Sequence, residues 1–348
     1  MQVSARLLIV LLIGFAEAAS AQGTSGSSTA NVQVELVTDE ADQALAILEA
    51  RVAGRPIAPS DWERLFATEG YRALKKREAA MGRQFSDADF QAFLKSDSLK
   101  ARTQSLARAL GQLHRLDPRS AATRALAYLP AGTPLKARLF LELKPRTNSF
   151  VFDLDGTRAI FLYVNPAERA EQVENTMAHE LHHVGISAAC HEVSDSMSTP
   201  EVRDARMWAS ALGEGLAMLA AAGGPDVHPQ ATSDSATQAR WDRDVANFAQ
   251  DRAELEGFFT DVLDGRLKGD SLTDRAMTYF GIQGPWYTVG WRMGQAVEKV
   301  HGRPVLISAM CDPVRFFSAY NEAAEVTNRR GEMVLPLWSP DLIRRLKG

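Results

Sequence analysis

The chain has 348 residues, 39 Lys and Arg against 43 Asp and Glu, a formal charge of -4 and 45% hydrophobic residues. That is enough for one large domain or two modest ones, and it excludes both a disordered polymer and a nucleic-acid grip built on a basic face. Two cysteines, Cys190 and Cys311, exclude a disulfide-rich scaffold and a cysteine-only metal site.

The first residues read as a targeting segment. Arg6 precedes the apolar run Leu7 to Ala16, which is too short to span a bilayer, and Ala19-Ser20-Ala21 offers a small-x-small cleavage pattern. Residues 1–21 are thus expected to be a signal peptide and the mature protein to be periplasmic or secreted, with no stable membrane insertion. Export permits a Cys190–Cys311 bridge, with two unpaired thiols as the alternative. Residues 22–37 are expected to form a flexible tail, because their first ten are Gly/Ser-rich and polar.

From 38 to 130 the pattern predicts a helical region. Thr38 precedes one helix, Ser60 with Glu63 forms a capping box for a second, Ser86-Asp87 opens a third, and Ser96 to Leu116 is a fourth. Period-two runs follow at Leu139, Leu141 and Leu143, at Phe150, Phe152 and Leu154, and at Ile160, Leu162 and Val164. Asp155-Gly156 suits a two-residue hairpin turn. Beyond Pro166, helices are predicted near 167–187, 203–222, 239–264 and 287–301, with residues 223–237 a mobile loop that gates a cleft. The fold class is a mostly helical α+β protein with a small antiparallel sheet.

The chemistry concentrates at His179-Glu180-Leu181-His182-His183, an H-E-x-x-H pattern. Residues four apart on a helix sit about 40° apart around its axis, so His179 and His183 can reach one cation. Glu180 lies beside them, placed as a general base for a metal-activated water. Ala170, Val173, Met177, Leu181 and Val184 form the buried stripe. His182 flanks the ligand face as a substrate contact or a bystander. Catalytic zinc takes three protein ligands, and Glu214 is the candidate third: its i±3 and i±4 neighbours Ser210, Ala211, Ala217 and Met218 include no base to pair it. Gly213 and Gly215 beside it would let another helix approach. His114, His191, His228 and His301 read as surface residues.

His179-Glu180-x-x-His183 followed by Gly213-Glu214-Gly215-Leu216-Ala217 resembles the gluzincin pattern of zinc metallopeptidases. With Tyr287-x-x-Gly290-x-x-x-Gly294 and Phe316-Phe317-x-x-Tyr320-Asn321, it is most similar to an uncharacterised bacterial family of zinc-dependent peptidases. The resemblance covers roughly residues 135–325. It implies a zincin-like metallopeptidase domain over 131–348, one Zn2+ held by His179, His183 and Glu214, Glu180 as base, and a peptide or protein substrate. It also implies Tyr287 as a donor to the oxyanion and strand 159–164 as an edge for an extended peptide. One departure is that no carboxylate follows Glu214 at i+4, where thermolysin-like enzymes place an Asp that orients a ligand.

Two other readings remain. Asp153-Leu154-Asp155-Gly156-Thr157 and Gly269-Asp270-Ser271-Leu272-Thr273-Asp274 resemble motifs of haloacid-dehalogenase-type phosphatases, with Asp153 as nucleophile and Asp155 as acid/base. That chemistry requires each motif at the end of a parallel strand. An exported zinc-binding, zincin-like scaffold without turnover is the non-enzymatic reading.

Overall fold

The computed structural model describes residues 32–146, 149–190, 198–331 and 333–348. The expected signal peptide, the first ten residues of the expected tail, and His191 lie outside the described residues. Contacts divide the chain into two units: Met1–Ala122 with Pro134–Glu180, and Thr123–Thr133 with Leu181–Gly348.

The first unit opens with strand β1 (Val32–Val37). Helices α1 (Asp39–Val52), α2 (Pro59–Ala67), α3 (Glu69–Ala80), α4 (Asp87–Leu94), α5 (Asp97–Leu113) and α6 (Pro118–Leu126) follow, the last crossing into the second unit. Strands β2 (Leu135–Glu142), β3 (Phe150–Leu154) and β4 (Thr157–Tyr163) then lead into α7 (Ala170–Ala189), which crosses the boundary between the units. Helix starts obey local capping chemistry: Ser86 and Ser96 accept from the third residue of α4 and α5. For α2 the expected box at Ser60 is displaced. Pro59 takes the first helical position and the Asp61 carboxylate accepts the Ala58 N–H at 2.8 Å.

The sheet order is β1-β2-β4-β3, with β1–β2 and β2–β4 parallel and only β3–β4 antiparallel. It is therefore mixed, not antiparallel as expected. Alternation along each strand reports which face is buried and says nothing about which neighbour it pairs with. Two further expectations change. Residues 32–37 are an edge strand instead of the end of a tail, because their alternating side chains pair with β2 over Val32↔Leu135 to Val37↔Phe140. β4 lies between β2 and β3 and is paired on both sides from Arg158 to Phe161, so the strands at the sheet edges are β1 and β3. Burial follows, with the last five residues of β4 all buried, as central strands require. Phe161 stacks on Phe140 and Phe150 at 5.0 and 4.8 Å, and Ala73 and Leu74 of α3 close this core.

Asp155 and Gly156 have φ of 56° and 80°, the left-handed pair of a two-residue hairpin turn, and Asp153 accepts the Gly156 N–H at 2.8 Å. Asp270 and Asp274 lie in helix, not after a strand. Neither motif of the phosphatase reading has the strand context that its chemistry needs.

In the second unit α8 (Pro200–Ala209) runs through a 3-10 turn (Ser210–Leu212) into α9 (Gly213–Ala222). The rest comprises α10 (Ser235–Ala246), α11 (Phe248–Leu263), α12 (Gly269–Thr278), α13 (Pro285–His301), α14 (Arg303–Ala309), α15 (Pro313–Arg330) and α16 (Pro340–Lys347). α13 is central and packs against α9, α11, α14 and α15. Its Trp286, Val289, Met293 and Val297 are fully buried. Cys190 and Cys311 form a disulfide with Cα atoms 5.1 Å apart. The segment after α9, expected to be mobile, is tied down. Gln295 Nε2 donates to the Pro225 carbonyl at 2.6 Å, and His228 Nε2 meets Asp242 at 3.0 Å. No helix among the described residues is long and apolar enough to cross a membrane.

Candidate metal centre

The middle of α7, from Met177 to Gly185, is buried apart from the partly open His183. Val173, Met177, Leu181 and Val184 line its apolar stripe, while His179 is 8% exposed and Glu180 6%. The face opposite the apolar stripe is therefore covered as well, and the histidines on it need polar or metal partners. The side chain of His183 is the most open of the set at 26%.

α9 brings the third group. Glu214 is 3% exposed on a helix whose other residues from Gly215 to Ala221 are small or apolar and buried. Its Oε2 lies 3.3 Å from His183 Nε2. One ligand atom from each of His179, His183 and Glu214 lies within 4.8 Å of the other two. Two imidazoles and a carboxylate are a borderline-soft donor set suited to zinc, and three protein ligands leave a coordination position open. A carboxylate this deeply buried, with two imidazoles within reach of one point, is a setting that a divalent cation stabilises, so the residues fit the metal.

Glycine explains how α9 comes so close to α13. A Cβ on Gly215 would overlap the Trp291 amide nitrogen and the Gly290 carbonyl carbon, and one on Gly290 would overlap the Leu212 carbonyl oxygen. Of the two glycines flanking Glu214, only Gly215 serves this approach, since a Cβ on Gly213 would meet nothing within 4 Å.

Residues 62–329 match a family model described as "Putative zinc dependent peptidase (DUF5700)". The chain belongs to this family. No curated protein and no solved structure matches the chain. Membership makes the protein one of a zinc-dependent peptidase family, with zinc as its metal and a peptide or protein as the substrate class. The resemblance read from the H-E-x-x-H and Gly213 to Ala217 segments is thus to the right family.

Other residues singled out in the sequence fall as follows. Tyr287 is 4% exposed, with its carbonyl at the α9–α13 contact. His182 is fully buried, its Nε2 3.4 Å from the Tyr128 carbonyl oxygen. His228 anchors the segment after α9. No motif marked Tyr128 in advance. It is 1% exposed and its hydroxyl donates to Glu298 Oε2 at 2.8 Å.

Proposed function

We propose that this protein is an exported zinc metallopeptidase whose catalytic base is Glu180. The observation that supports this best is that a ligand atom from each of His179, His183 and Glu214 lies within 4.8 Å of the other two, with Glu180 next to His179 on the same helix. Zinc, when bound, polarises the scissile carbonyl and makes water a nucleophile at neutral pH. The chain's own residues do the rest. His179, His183 and Glu214 hold the metal with a position free. Glu180 takes the proton from the attacking water and returns it to the leaving amine. The Tyr287 hydroxyl donates a hydrogen bond to the oxygen that gains charge.

A retained carboxylate at 180 favours turnover over a silent scaffold, because a structural zinc site needs no base and closes with a fourth protein ligand. Export is supported by the targeting pattern over residues 1–21 and by the Cys190–Cys311 bridge, which persists in oxidising compartments. The test is mass-spectrometric profiling of a diverse peptide library after incubation with zinc-loaded protein, beside Glu180→Gln. Cleavage by the wild type alone is expected. Cleavage equal in both would remove Glu180 from the mechanism, and none in either, with zinc bound, would favour the scaffold.

A further inference from the structure

Helices α7 and α9 each carry metal ligands, and each is tied to α13. For α9 the tie is direct, through the glycine contact at Gly215 and Gly290. For α7 it runs through the short segment after α6. His182 Nε2, one residue before the ligand His183, lies 3.4 Å from the Tyr128 carbonyl oxygen. One turn on, a Cβ at Gly185 would overlap the Leu129 side chain, so α7 rests directly on this segment. The Tyr128 hydroxyl then donates to Glu298 Oε2 on α13 at 2.8 Å. Arg303 completes the joint: its Nε reaches Glu298 Oε1 at 2.8 Å and its guanidinium lies 4.1 Å from the Tyr128 ring centre. Burial and the Glu298 bond both push the Tyr128 phenol up, so it stays a donor at any physiological pH.

Tyr128 thus faces both ways, its backbone toward the zinc helix and its hydroxyl toward the helix that seats Glu214. We propose that the line His182–Tyr128–Glu298 is a positioning strut that sets the spacing between His183 and Glu214 and hence the affinity for zinc. None of its three members belongs to the candidate metal triad. The line acts as an outer constraint on ligand geometry, one residue removed from His183.

The proposal rests on zinc being the metal of this site, and its test separates the two. Zinc affinity is measured by competition with a fluorescent chelator, alongside thermal unfolding of the metal-free protein, for wild type, Tyr128→Phe and Tyr320→Phe. Tyr320 is a control of the same kind, a buried tyrosine of the same unit whose hydroxyl donates to the Pro336 carbonyl at 2.8 Å. Tyr128→Phe is expected to bind zinc about tenfold more weakly, at the low end of losses from outer-shell changes. Tyr320→Phe should lower the unfolding temperature and leave zinc affinity alone. Should Tyr128→Phe not fold, as judged by circular dichroism, Glu298→Gln takes its place with the same expectation. Unchanged affinity in the folded strut variant, or an equal loss in Tyr320→Phe, overturns the strut alone. A wild type that binds no zinc overturns the strut and the zinc reading together.

Discussion

Gly215 and Gly290 meet backbone to backbone, and the residue before Gly215 belongs to the candidate metal triad. No side chain fits between the helices there: a Cβ on Gly215 would overlap the Trp291 amide nitrogen, and one on Gly290 the Leu212 carbonyl oxygen. Both obstacles are backbone, which cannot rotate away. Gly215→Ala and Gly290→Ala should each cost about 1–3 kcal/mol, as overpacked cores do. Gly213→Ala has open space and a helical backbone, so it should be neutral or stabilise by up to about 1 kcal/mol. Denaturant unfolding of the metal-free variants measures all three, and the account of the helix contact requires this difference in sign.

Removing one ligand leaves too few donors for tight zinc binding. His183→Ala and Glu214→Ala should each bind zinc at least about a hundredfold more weakly and lose peptidase activity, whereas Glu180→Gln should keep the metal and lose turnover. Metal content after gel filtration, set beside cleavage rates, checks the split. Retention of zinc by Glu214→Ala would remove Glu214 from the ligand set.

The first unit carries a charged cluster unrelated to the metal. Glu40 and Glu142 are both fully buried, and among the described residues neither carboxylate oxygen of Glu142 has a hydrogen-bond partner. Burial, with Glu78 and Asp39 nearby and in spite of Lys144 and Arg77, pushes the Glu142 carboxyl up to about 8. Burial and Glu142 also raise Glu40. Lys144 is lowered to about 8, again chiefly by burial. A carboxyl with a raised folded-state pKa holds its proton in the folded chain after the unfolded chain has lost it. Its contribution is therefore complete below about 4.5 and fades as pH climbs to about 8. Lys144 acts oppositely, with stability recovering between about 8 and 10.5. Stability of this unit should thus pass through a minimum near pH 8, and Glu142→Gln should raise the melting temperature there by about 4 °C or more while changing little at pH 4. Melting curves from pH 4 to 10 decide it; parallel profiles for variant and wild type would show that Glu142 does not titrate in this window.

Cys190 and Cys311 are 121 positions apart, so their bridge closes a long loop in the unfolded chain. Replacing both by Ser should cost about 2–5 kcal/mol. Intact mass with and without reduction before alkylation verifies the bridge, and denaturant unfolding measures its effect. Two thiols that alkylate without reduction would end this prediction.

The candidate triad was legible because metal chemistry leaves a local mark. His179 and His183 must lie one turn apart on a helix, and Glu214 stood out as an acid among small apolar neighbours. The hairpin at Asp155-Gly156 was legible for the same reason, since few residue pairs accept two successive left-handed conformations. The paired edge strand at 32–37, the interior position of β4 and the mixed order of the sheet were not. Each depends on a partner strand distant in sequence, whereas alternation records only burial. The contacts of His182 with the Tyr128 carbonyl and of His228 with Asp242 were not legible either, because neither partner belongs to the local pattern.

By itself, then, the sequence determined the family and the candidate site: the donor types, their helical spacing and the acid beside them. Tertiary structure alone decided how Glu214 reaches His183, how Tyr128 ties α7 to α13, and which strands are edges. The physical reason is range. Ligand identity and helical phase are set within a few residues, while close approach between helices depends on which small residues meet across the fold.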